Sequence, residues 1–396
     1  MTDSPETPIV IVGGGLAAGT ATGSLRERGY DGPLIVLADE PHLPYERPPL
    51  SKGYLMGKDP IEKALVHDAG WYAENRVDVR TGVRVESIDV DGHTVTAGGE
   101  TLAYRALLLA TGARPRRLPL ADEAGVPVTY LRTIESSTAL RAELRPGRRM
   151  GLIGGGWIGL EVAAAARAAG AEVTVLEMAA QPLLAVLGEE VATIFADLHR
   201  AHGVDLRTNV KVASIEQTEA GGARIGLESG ESVDVDHLVV GVGAVPATEL
   251  AEAAGIVVGN GIRTDARLRT SAPAVFAAGD VANVDHPLLG RAVRTEHWDT
   301  AIKHGTVAAA NLLGGDEAAD ALPYFFTDQY DLGMEYVGNS GPDGFDRVEI
   351  LGDVAGLSFK VWWLRTEGDR ERVVAGMHVN GWDAIDEIRT TVGTLR

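Results

Sequence analysis

Two short apolar runs along the chain each end in three consecutive glycines and are followed by a stretch of small and apolar residues. The first run is Ile9 to Val12, before Gly13 to Gly15, and the second is MGLI, before Gly154 to Gly156. An apolar run, a glycine turn and a small-residue segment of helical length predict a buried strand, a tight turn and a helix. The pattern therefore predicts the same structural unit twice.

The glycine spacing within each turn is that of a dinucleotide-binding motif. In the first copy Gly13 allows the turn, Gly15 lets the backbone approach a pyrophosphate, and Ala18 takes the third position, where the helix meets the strand. The corresponding residues of the second copy are Gly154, Gly156 and Gly159. Because the start of each helix then faces the phosphates, both copies are expected to bind a dinucleotide.

An acidic residue ends the second strand of each unit. LIVLADE ends at Asp39 and Glu40, where an acid would bond an adenosine ribose; Asp39 fits best and Glu40 is the alternative. EVTVLE places Glu177 there in the second unit, and the next residues, MAAQPLL, contain no arginine. A carboxylate at this position bonds the 2′ and 3′ hydroxyls of NADH and repels the 2′-phosphate of NADPH. NADH is therefore the predicted nicotinamide coenzyme.

The likeness of the two units extends beyond the glycine turns. In the first unit IDVDGHTVTA predicts a hairpin with its turn at Asp91 and Gly92. The units close on similar phrases, LLLATGARP ending at Pro115 and VVGVGAVP ending at Pro246. Two dinucleotide sites imply two different dinucleotides, and the natural pair is FAD and a nicotinamide.

A later phrase, TSAPAVFAAGD, ends at Asp280 and would return the backbone to the first unit. Its acid could bond the ribitol hydroxyls of a flavin. From the residues alone, Asp280 is equally well explained as a helix cap.

Residues 322–396 are predicted to form a third domain. GLSFKVWWLR and RVVAGMHV predict antiparallel strands separated by the turn-rich TEGDR, and WDAIDEIRTTV has helical spacing. Trp362, Trp363 and Trp382 are expected in its core. The predicted fold class is α/β, with an FAD-binding domain of residues 1–115 and 247–321, an NADH-binding domain of residues 116–246, and an α+β domain of residues 322–396.

Composition narrows the classes of function. The chain has 396 residues, a formal charge of −20, ten histidines and no cysteine. The negative charge disfavours nucleic-acid binding, and the absence of cysteine excludes disulfides and thiol catalysis. The histidines lack metal-ligand spacing, so no metal site is expected. MTDSPETP has no leader-like pattern and no apolar run is long enough to span a bilayer, so a cytoplasmic protein is expected.

The chain resembles the FAD-dependent, NADH-using ferredoxin reductases of oxygenase systems, within the glutathione-reductase-like superfamily. The segments that carry this resemblance are GGGLAAG, PYERPPLSK, LLLATGARP, YLRT, GGGWIGLE, VGVGAVP and FAAGD. The resemblance runs from residue 9 to about residue 305. It implies two Rossmann-like domains of the glutathione-reductase type. It also implies that Arg47, Lys52, Arg132 and the backbone near Val85 serve the FAD site, and that Trp298 lies near the isoalloxazine ring.

The cofactor-binding set that follows combines the glycine motifs with the resemblance. Its members are Gly13, Gly15, Leu16, Ala17, Ala18, Asp39, Glu40, Arg47, Lys52, Val85, Ala110, Thr111, Gly112, Arg132, Gly279, Asp280, His297, Trp298, Gly154, Gly156, Trp157, Ile158, Gly159, Glu177 and Gly243.

PYERPPLSK has no cysteine where disulfide reductases of the superfamily keep a redox-active pair, so electrons cannot leave through a thiol. The resemblance implies that Lys52 serves the flavin itself, because an ammonium near N5 would stabilise negative charge on the reduced ring. Glu161 is its expected partner. The alternatives are a solvated lysine and a helix-surface carboxylate. In related enzymes an aromatic residue at the position of Trp157 lies over the nicotinamide pocket, the alternative being simple packing.

An iron–sulfur ferredoxin that feeds an oxygenase is the electron acceptor that the resemblance implies. Because ferredoxins are usually acidic, a partner would need a local arginine cluster, for which RPRRL and RPGRR are candidates. PYFFTDQYDLGMEYVG departs from the commonest reductase pattern and leans toward apoptosis-inducing-factor-like flavoproteins. Two alternatives therefore stay open: an NADH dehydrogenase or oxidase that uses a quinone, oxygen or another small acceptor, and an NADH-sensing flavoprotein with slow turnover. The chain is expected to be a monomer or a homodimer.

Overall fold

A computed structural model of the chain describes residues 7–341 and 344–396. Residues 1–6, which contribute to the prediction that no leader is present, lie outside the described part. The chain divides into two compact units. The first contains the chain up to Arg47, Pro60–Arg114 and Val245–Pro323, and the second contains Pro48–Asp59, Pro115–Ala244 and Tyr324–Arg396.

Strands are short in the first two-thirds of the chain and longer near its end. In chain order they are β1 (Ile9–Val12), β2 (Leu34–Ala38), β3 (Val77–Thr81), β4 (Val85–Asp89), β5 (Thr94–Ala97), β6 (Glu100–Ala103), β7 (Ala106–Leu109), β8 (Ala113–Pro115), β9 (Val128–Thr129), β10 (Arg149–Ile153), β11 (Glu172–Leu176), β12 (Asp205–Arg207), β13 (Val212–Gln217), β14 (Ala223–Leu227), β15 (Ser232–Val235), β16 (His237–Val240), β17 (Ala244–Pro246), β18 (Val258–Gly259), β19 (Gly261–Thr264), β20 (Val275–Ala277), β21 (Ala282–His286), β22 (Arg291–Val293), β23 (Tyr324–Gln329), β24 (Leu332–Gly338), β25 (Arg347–Asp353), β26 (Ser358–Glu367) and β27 (Arg370–Val379).

Helices lie between these strands. The α-helices are α1 (Leu16–Glu27), α2 (Ala69–Glu74), α3 (Pro119–Glu123), α4 (Ile134–Glu143), α5 (Trp157–Ala168), α6 (Leu184–Leu187), α7 (Glu189–Ala201), α8 (Glu249–Ala253), α9 (Trp298–Leu312) and α10 (Ile385–Thr391). Short 3-10 helices span Pro48–Ser51, Ile61–Ala64, Gly279–Val281 and Trp382–Ala384.

Each unit contains a five-stranded parallel sheet built on the same plan. The order is β20-β7-β1-β2-β3 in the first unit and β9-β16-β10-β11-β12 in the second. The central strands, β1 and β10, are almost wholly buried apolar runs, as strands covered on both faces should be. A three-stranded antiparallel sheet accompanies each, β4-β5-β6 and β13-β14-β15. The predicted duplication of a Rossmann-like unit is confirmed.

The second unit also contains a five-stranded antiparallel sheet, β23-β24-β27-β26-β25, followed by α10. The predicted strands around TEGDR are confirmed as β26 and β27, which pair as far as Glu367 and Arg370. Trp363 is fully buried and its indole nitrogen donates to the carbonyl of Leu187 at 3.0 Å. The chain therefore has the expected α/β architecture with a C-terminal antiparallel sheet. The boundaries of three separate domains stay a prediction.

The predicted hairpin is confirmed, and Asp91 and Gly92 lie in its turn, which is wider than a two-residue turn. The hairpin of β4 and β5 pairs Asp89 with Thr94, which leaves a four-residue connection in which His93, with φ of 52°, takes the left-handed conformation instead of Gly92. The Asp89 side chain accepts from the backbone of Asp91 and Gly92 and so shapes a wider turn.

One local prediction is wrong and concerns Trp382, which was expected in the core. Its side chain is 57% exposed, because it starts the short helix after β27 and lies over Gly333, a residue with no side chain to cover it.

None of the helices in the part of the chain that the structure describes has the length and apolar character needed to cross a bilayer.

Three histidines, His199 fully buried and the other two partly buried, are held in the neutral form. Burial lowers the pKa of His199, His297 and His304 to about 4 in each case. His199 lies on α7 with no exposed surface, and His304 lies on α9. Because the folded pKa lies below the ordinary value of about 6.5, the unfolded chain takes up protons first as the pH falls.

We predict that the free energy of unfolding falls as the pH is lowered from about 6.5 to 4, by about 1.4 kcal/mol per pH unit for each of these histidines. Urea unfolding of wild type and the His199→Gln variant at pH 7 and pH 5 measures this dependence. The variant should lose less stability than wild type on acidification. Equal losses in the two proteins would contradict the assignment.

Candidate functional site

The first glycine turn cannot accommodate a side chain at its first position. Gly13 has φ of 138°, and a Cβ there would lie 2.1 Å from the carbonyl oxygen of Ala110. Its N–H donates to the carbonyl of Leu37 at 2.9 Å, which joins the turn to β2. The chain then enters α1 through Gly15 in an extended conformation. The predicted strand, turn and helix are confirmed.

The second turn makes the same two main contacts, an N–H bond to the neighbouring strand and a close approach to a backbone carbonyl. Gly154 has φ of 103°, its N–H donates to Leu176 at 2.9 Å, and a Cβ there would lie 2.3 Å from the carbonyl oxygen of Gly241. A Cβ on Gly159 would lie 2.2 Å from the carbonyl oxygen of Gly154, so α5 contacts the turn closely. The first unit carries the slightly larger Ala18 at the corresponding place.

The last glycine of each turn behaves differently. A Cβ built on Gly15 or on Gly156 meets no protein atom within 4 Å, and neither residue has a positive φ. The protein itself therefore does not require glycine at these positions. Each residue lies at the start of a twelve-residue helix, where backbone N–H groups are unsatisfied and attract anions. These residues fit the pyrophosphate of a dinucleotide, which would use the space that a side chain would fill.

The acid of the second unit bonds to the backbone of its glycine turn, whereas the acids of the first unit lie further along the chain. The Glu177 carboxylate accepts from the backbone N–H groups of Gly155 and Ala179, both at 2.7 Å. In the first unit Ala38 occupies the corresponding position, with its Cβ 2.7 Å from a Cβ built on Gly14. Asp39 is exposed and lies one residue further on.

Glu40 belongs to an ion-pair cluster instead of standing alone. Arg47 donates to Glu40 Oε1 at 2.6 Å and to the hydroxyl of Tyr45, which in turn donates to Glu40 Oε2 at 2.5 Å. Burial alone would lower the pKa of Arg47, but Tyr45, Glu40 and Asp280 raise it on balance. Because Tyr45 also pairs with Gly15 in an isolated parallel bridge, this cation lies beside the first glycine turn.

The other predicted positions in the first unit cluster at the carboxyl ends of its parallel strands, where open α/β sheets bind ligands. Ala110, Thr111 and Gly112 follow β7, and Gly279 and Asp280 follow β20. Thr111 donates to the carbonyl of Ala247 at 2.8 Å, and the Gly279 N–H donates to His304 Nδ1 at 3.3 Å.

Asp280 lies in the 3-10 helix Gly279–Val281, so a capping position and a ligand contact are both compatible with its place. Leu16, Ala17 and Ala18 form the first turn of α1, and Val85 begins β4.

Trp298 is held by a residue that sequence reasoning missed. Its indole N–H donates to Glu46 Oε2 at 2.9 Å, inside the PYERPPLSK segment. Burial raises the pKa of Glu46, and the hydrogen bond from Trp298 partly offsets that rise. His297 precedes Trp298 as the N-cap of α9. In the sequence, Glu46 stood out only as a charged residue within a proline-rich segment.

The second unit holds the lysine that the sequence singled out. Lys52 follows the 3-10 helix Pro48–Ser51 and makes a salt bridge with Glu161 on α5, with side-chain exposures of 14% and 6%. The carbonyl of Leu50 accepts from Ser137 on α4 at 2.7 Å, which anchors the segment. The predicted pairing of Lys52 with Glu161 is confirmed, and the alternatives of a solvated lysine and a surface carboxylate are wrong.

Two further side chains complete the environment of Glu161. Ser51 donates to Oε2 at 2.5 Å and Thr327 donates to Oε1 at 2.6 Å. Desolvation and the carboxylates of Glu161 and Glu335 raise the pKa of nearby Asp328, whereas Lys52 lowers it. Neither Ser51 nor Thr327 was predicted, although both lie in segments that the sequence singled out, because a hydroxyl residue is common and gives no chemical signal by itself.

Trp157, Ile158 and Arg132 also lie in the second unit. The Trp157 ring packs 4.9 Å from Phe325 and 5.6 Å from Phe195, measured between centroids, so packing explains its position without a ligand. Ile158 is 45% exposed. Arg132 follows β9 beside the N-cap of α4, and Gly243, with φ of 102°, follows β16. The roles of these residues toward FAD and NADH stay predictions.

No group of three or more metal-ligating side chains occurs among residues 7–341 and 344–396.

Comparison with known proteins agrees with this arrangement. The family model described as pyridine nucleotide-disulphide oxidoreductase matches residues 7–305. The chain belongs to this family.

Two curated members of the pyridine nucleotide-disulphide oxidoreductase family are similar over most of their length. The ferredoxin–NAD(+) reductase component of the anthranilate 1,2-dioxygenase system from Burkholderia cepacia is 43% identical over 94% of this chain and 91% of its own. Putidaredoxin reductase from Pseudomonas putida is 38% identical over 91% of this chain and 86% of its own.

The fold is similar to that of a solved member. In the crystal structure of the covalent putidaredoxin reductase–putidaredoxin complex, the matching chain has a TM-score of 0.91 and 36% identity, covering 97% of this chain and 92% of that one. Although the family takes its name from disulphide chemistry, this member has no cysteine. The buried Lys52–Glu161 pair therefore lies in a chain that has no thiol.

Gly15 and Gly156, where a Cβ would meet no protein atom, provide a direct test of the two dinucleotide sites. We predict that Gly15→Ala lowers the FAD content of the purified protein and that Gly156→Ala leaves FAD bound but raises the Kd for NADH about tenfold or more, because a methyl group occupies the space of a phosphate. Absorbance of bound flavin and titration with NADH are the measurements.

With the cofactors removed from all three proteins, both variants should unfold at the wild-type urea midpoint, since the added methyl group meets no protein atom. A Gly159→Ala variant, whose methyl group would strike the backbone, should be less stable and serves as the matched contrast. Wild-type binding of both cofactors by the first two variants would contradict the assignment.

Proposed function

We propose that the protein is an NADH-dependent reductase that uses bound FAD to pass electrons singly to an iron–sulfur ferredoxin, which feeds an oxygenase. The observation that carries the proposal is the buried Lys52–Glu161 pair in a chain that has two dinucleotide turns and no cysteine. Of the relatives described above, one is named as the ferredoxin–NAD(+) reductase component of a dioxygenase system and the other as a putidaredoxin reductase.

FAD would be held by the first unit. Gly15 and the start of α1 would receive its pyrophosphate, with Arg47 as the nearby cation and Asp280 on the ribitol side. Asp39 or Glu40 would take the adenosine ribose. Because Glu40 already accepts from Arg47 and Tyr45, the exposed Asp39 has the free acceptor oxygens. When bound, FAD accepts two electrons as a hydride and gives them up one at a time.

NADH would be held by the second unit, with its pyrophosphate at Gly156 and its adenosine ribose at Glu177. Two backbone N–H groups donate to Glu177 and hold its side chain in place, and a carboxylate there suits ribose hydroxyls and repels a 2′-phosphate. Arg207 lies on the neighbouring strand, but it is paired with Asp205 at 2.9 Å and Glu231 at 3.6 Å. A phosphate would therefore compete with two carboxylates for this arginine.

Lys52 would act on the flavin directly. Its ammonium would stabilise the negative charge that reduction places on the ring, while Glu161 keeps the ammonium from being buried without a counterion. Trp157, at the first position of α5, would lie beside the nicotinamide. If its side chain moved aside, it would lose its ring contacts with Phe195 and Phe325.

A ferredoxin would dock through positive charge, but most of the arginines in the two candidate clusters are already neutralised. Arg117 pairs with Asp122 at 2.6 Å and Arg148 with Glu143 at 2.6 Å. Arg114 and Arg149 also pair with acids, Glu249 and Asp236. In the described part of the chain only Arg116 and Arg145 of these clusters lack an acidic partner. We therefore expect a docking surface of modest charge, which salt weakens only slightly.

The proposal extends to the setting of the enzyme. We propose that it works in the cytoplasm, because its reductant NADH is a coenzyme of the cell interior. We further propose that it is a monomer or a homodimer and has no nucleic-acid or membrane partners.

The test of this function is electron delivery by the purified, FAD-loaded protein. We predict that NADH bleaches the flavin absorbance rapidly, and that cytochrome c is reduced only when a [2Fe–2S] ferredoxin is added as the intermediate carrier. NADPH should bleach the flavin much more slowly.

NADH oxidation at the same rate with oxygen or a quinone in place of ferredoxin would instead support the small-acceptor alternative. Flavin that remains reduced without passing electrons to any of these acceptors would support the NADH-sensing alternative.

A further inference from the structure

Glu161 lies at one end of a line of hydrogen-bonded side chains that continues well beyond its immediate partners. Thr327 Oγ1 contacts Glu161 Oε1 at 2.6 Å, and the Gln329 side chain contacts Thr327 at 3.2 Å. Gln329 then meets His199 Nε2 at 2.8 Å, and His199 Nδ1 meets the hydroxyl of Tyr330 at 3.3 Å. All these residues belong to the second unit, and Thr327, Gln329 and His199 are at most 1% exposed.

The donors in this line can point in one direction only. A carboxylate paired with a lysine accepts hydrogen bonds and donates none, so the single hydrogen of Thr327 must point to Glu161. The oxygen of Thr327 must then accept from the Gln329 amide nitrogen, which turns the Gln329 carbonyl toward His199. Because a carbonyl only accepts, His199 carries its hydrogen on Nε2, and its bare Nδ1 accepts from Tyr330.

One observation at the far end supports this direction of the hydrogen bonds, and others show what holds Tyr330 in place. Burial lowers the pKa of His199 to about 4, so the ring is neutral at working pH and one nitrogen is bare. Tyr330 has φ of 58°, a strained conformation for a bulky residue, in the connection between β23 and β24. Its ring stacks on His202 at 3.7 Å between centroids, which together with the bond to His199 holds the strained residue in place.

We propose that Gln329, His199 and Tyr330 are positioning residues for the Lys52–Glu161 pair and act through the Thr327 hydroxyl. The line keeps the Thr327 hydroxyl donating to Glu161 Oε1, the same oxygen that accepts from Lys52. It thereby fixes the position of the Lys52 ammonium. Gln329 cannot pass a proton along as an amide, so the line orients the pair and does not conduct protons. The proposal rests on the proposed function, in which Lys52 acts on the flavin.

The first test is a double-mutant cycle on the FAD-loaded protein. Thr327→Val, which is nearly the same shape, removes the hydroxyl and should lower the limiting rate of flavin reduction by NADH about tenfold. Gln329→Leu should lower it about threefold to tenfold for the same reason. FAD content and the NADH concentration at half-maximal rate should stay at wild-type values in both.

The cycle is decisive because Gln329 can reach Glu161 only through Thr327. In the Thr327→Val background Gln329→Leu should cause no further loss, whereas in the Thr327→Ser background, which keeps the hydroxyl, it should cause the full loss. Equal losses in both backgrounds would overturn the proposal. Ser340→Ala removes another buried hydroxyl of the same unit, one that contacts Tyr336, and should leave the rate unchanged.

The second test needs no catalysis. The nitrogen-15 shifts of the His199 ring, assigned with a His199→Gln variant, should show hydrogen on Nε2 and a bare Nδ1 in protein with and without FAD. Hydrogen on Nδ1 would reverse the line and overturn the proposal. This result is independent of the proposed function, which fails instead if wild-type protein does not pass electrons from NADH to ferredoxin.

Discussion

A lysine can be buried as an ion only when a carboxylate is buried with it, and this constraint organises the second unit. Lys52 reaches Glu161 because the Pro48–Ser51 helix is held against α4 and α5, with Ser137 bonding the carbonyl of Leu50. Isolated charges in a protein interior would otherwise shift to their neutral forms. The pair therefore depends on the donors that surround Glu161, and the surrounding packing has to supply them.

The two parallel sheets repeat one backbone plan with different side chains at the glycine turns. The turn at Gly13 and the turn at Gly154 make the same contacts with the neighbouring strands, and both helices begin at a glycine that has free space in front of it. The units differ in the side chain under the turn, Ala38 in one and Glu177 in the other. A small change at the end of one strand thus gives the second unit a fixed carboxylate, while the first uses Arg47 and its partners beside its turn.

Local features of this structure were predictable from the sequence, because their causes are local. The glycine turns, the central strands and the antiparallel pair β26 and β27 follow from residue spacing and turn residues over fewer than about thirty positions. The place of the hairpin at Asp91 was predictable too, but the width of its turn was not, because the Asp89 side chain shapes it. Trp382 was mispredicted because its exposure depends on Gly333, a residue on another strand.

The pairing of Lys52 with Glu161 was predictable only through the resemblance between motifs, since the two residues are far apart in the chain. The residues that support the pair had no such signal. Thr327, Gln329 and His199 are ordinary polar residues whose importance appears only when β23 and α7 bring them into one hydrogen-bonded line. Glu46 is similar, since nothing near it in sequence identifies Trp298 as its partner.

The central claim is that a cation replaces sulfur next to the flavin, and the midpoint potential of the bound FAD tests it most directly. Removing the ammonium with Lys52→Met should lower this potential by about 30 to 60 mV, because reduced flavin loses a stabilising charge worth about 1.4 to 2.8 kcal/mol. Lys52→Arg, which keeps the charge, should stay nearer to wild type. A Lys52→Met protein with full FAD content and the wild-type potential would contradict the account.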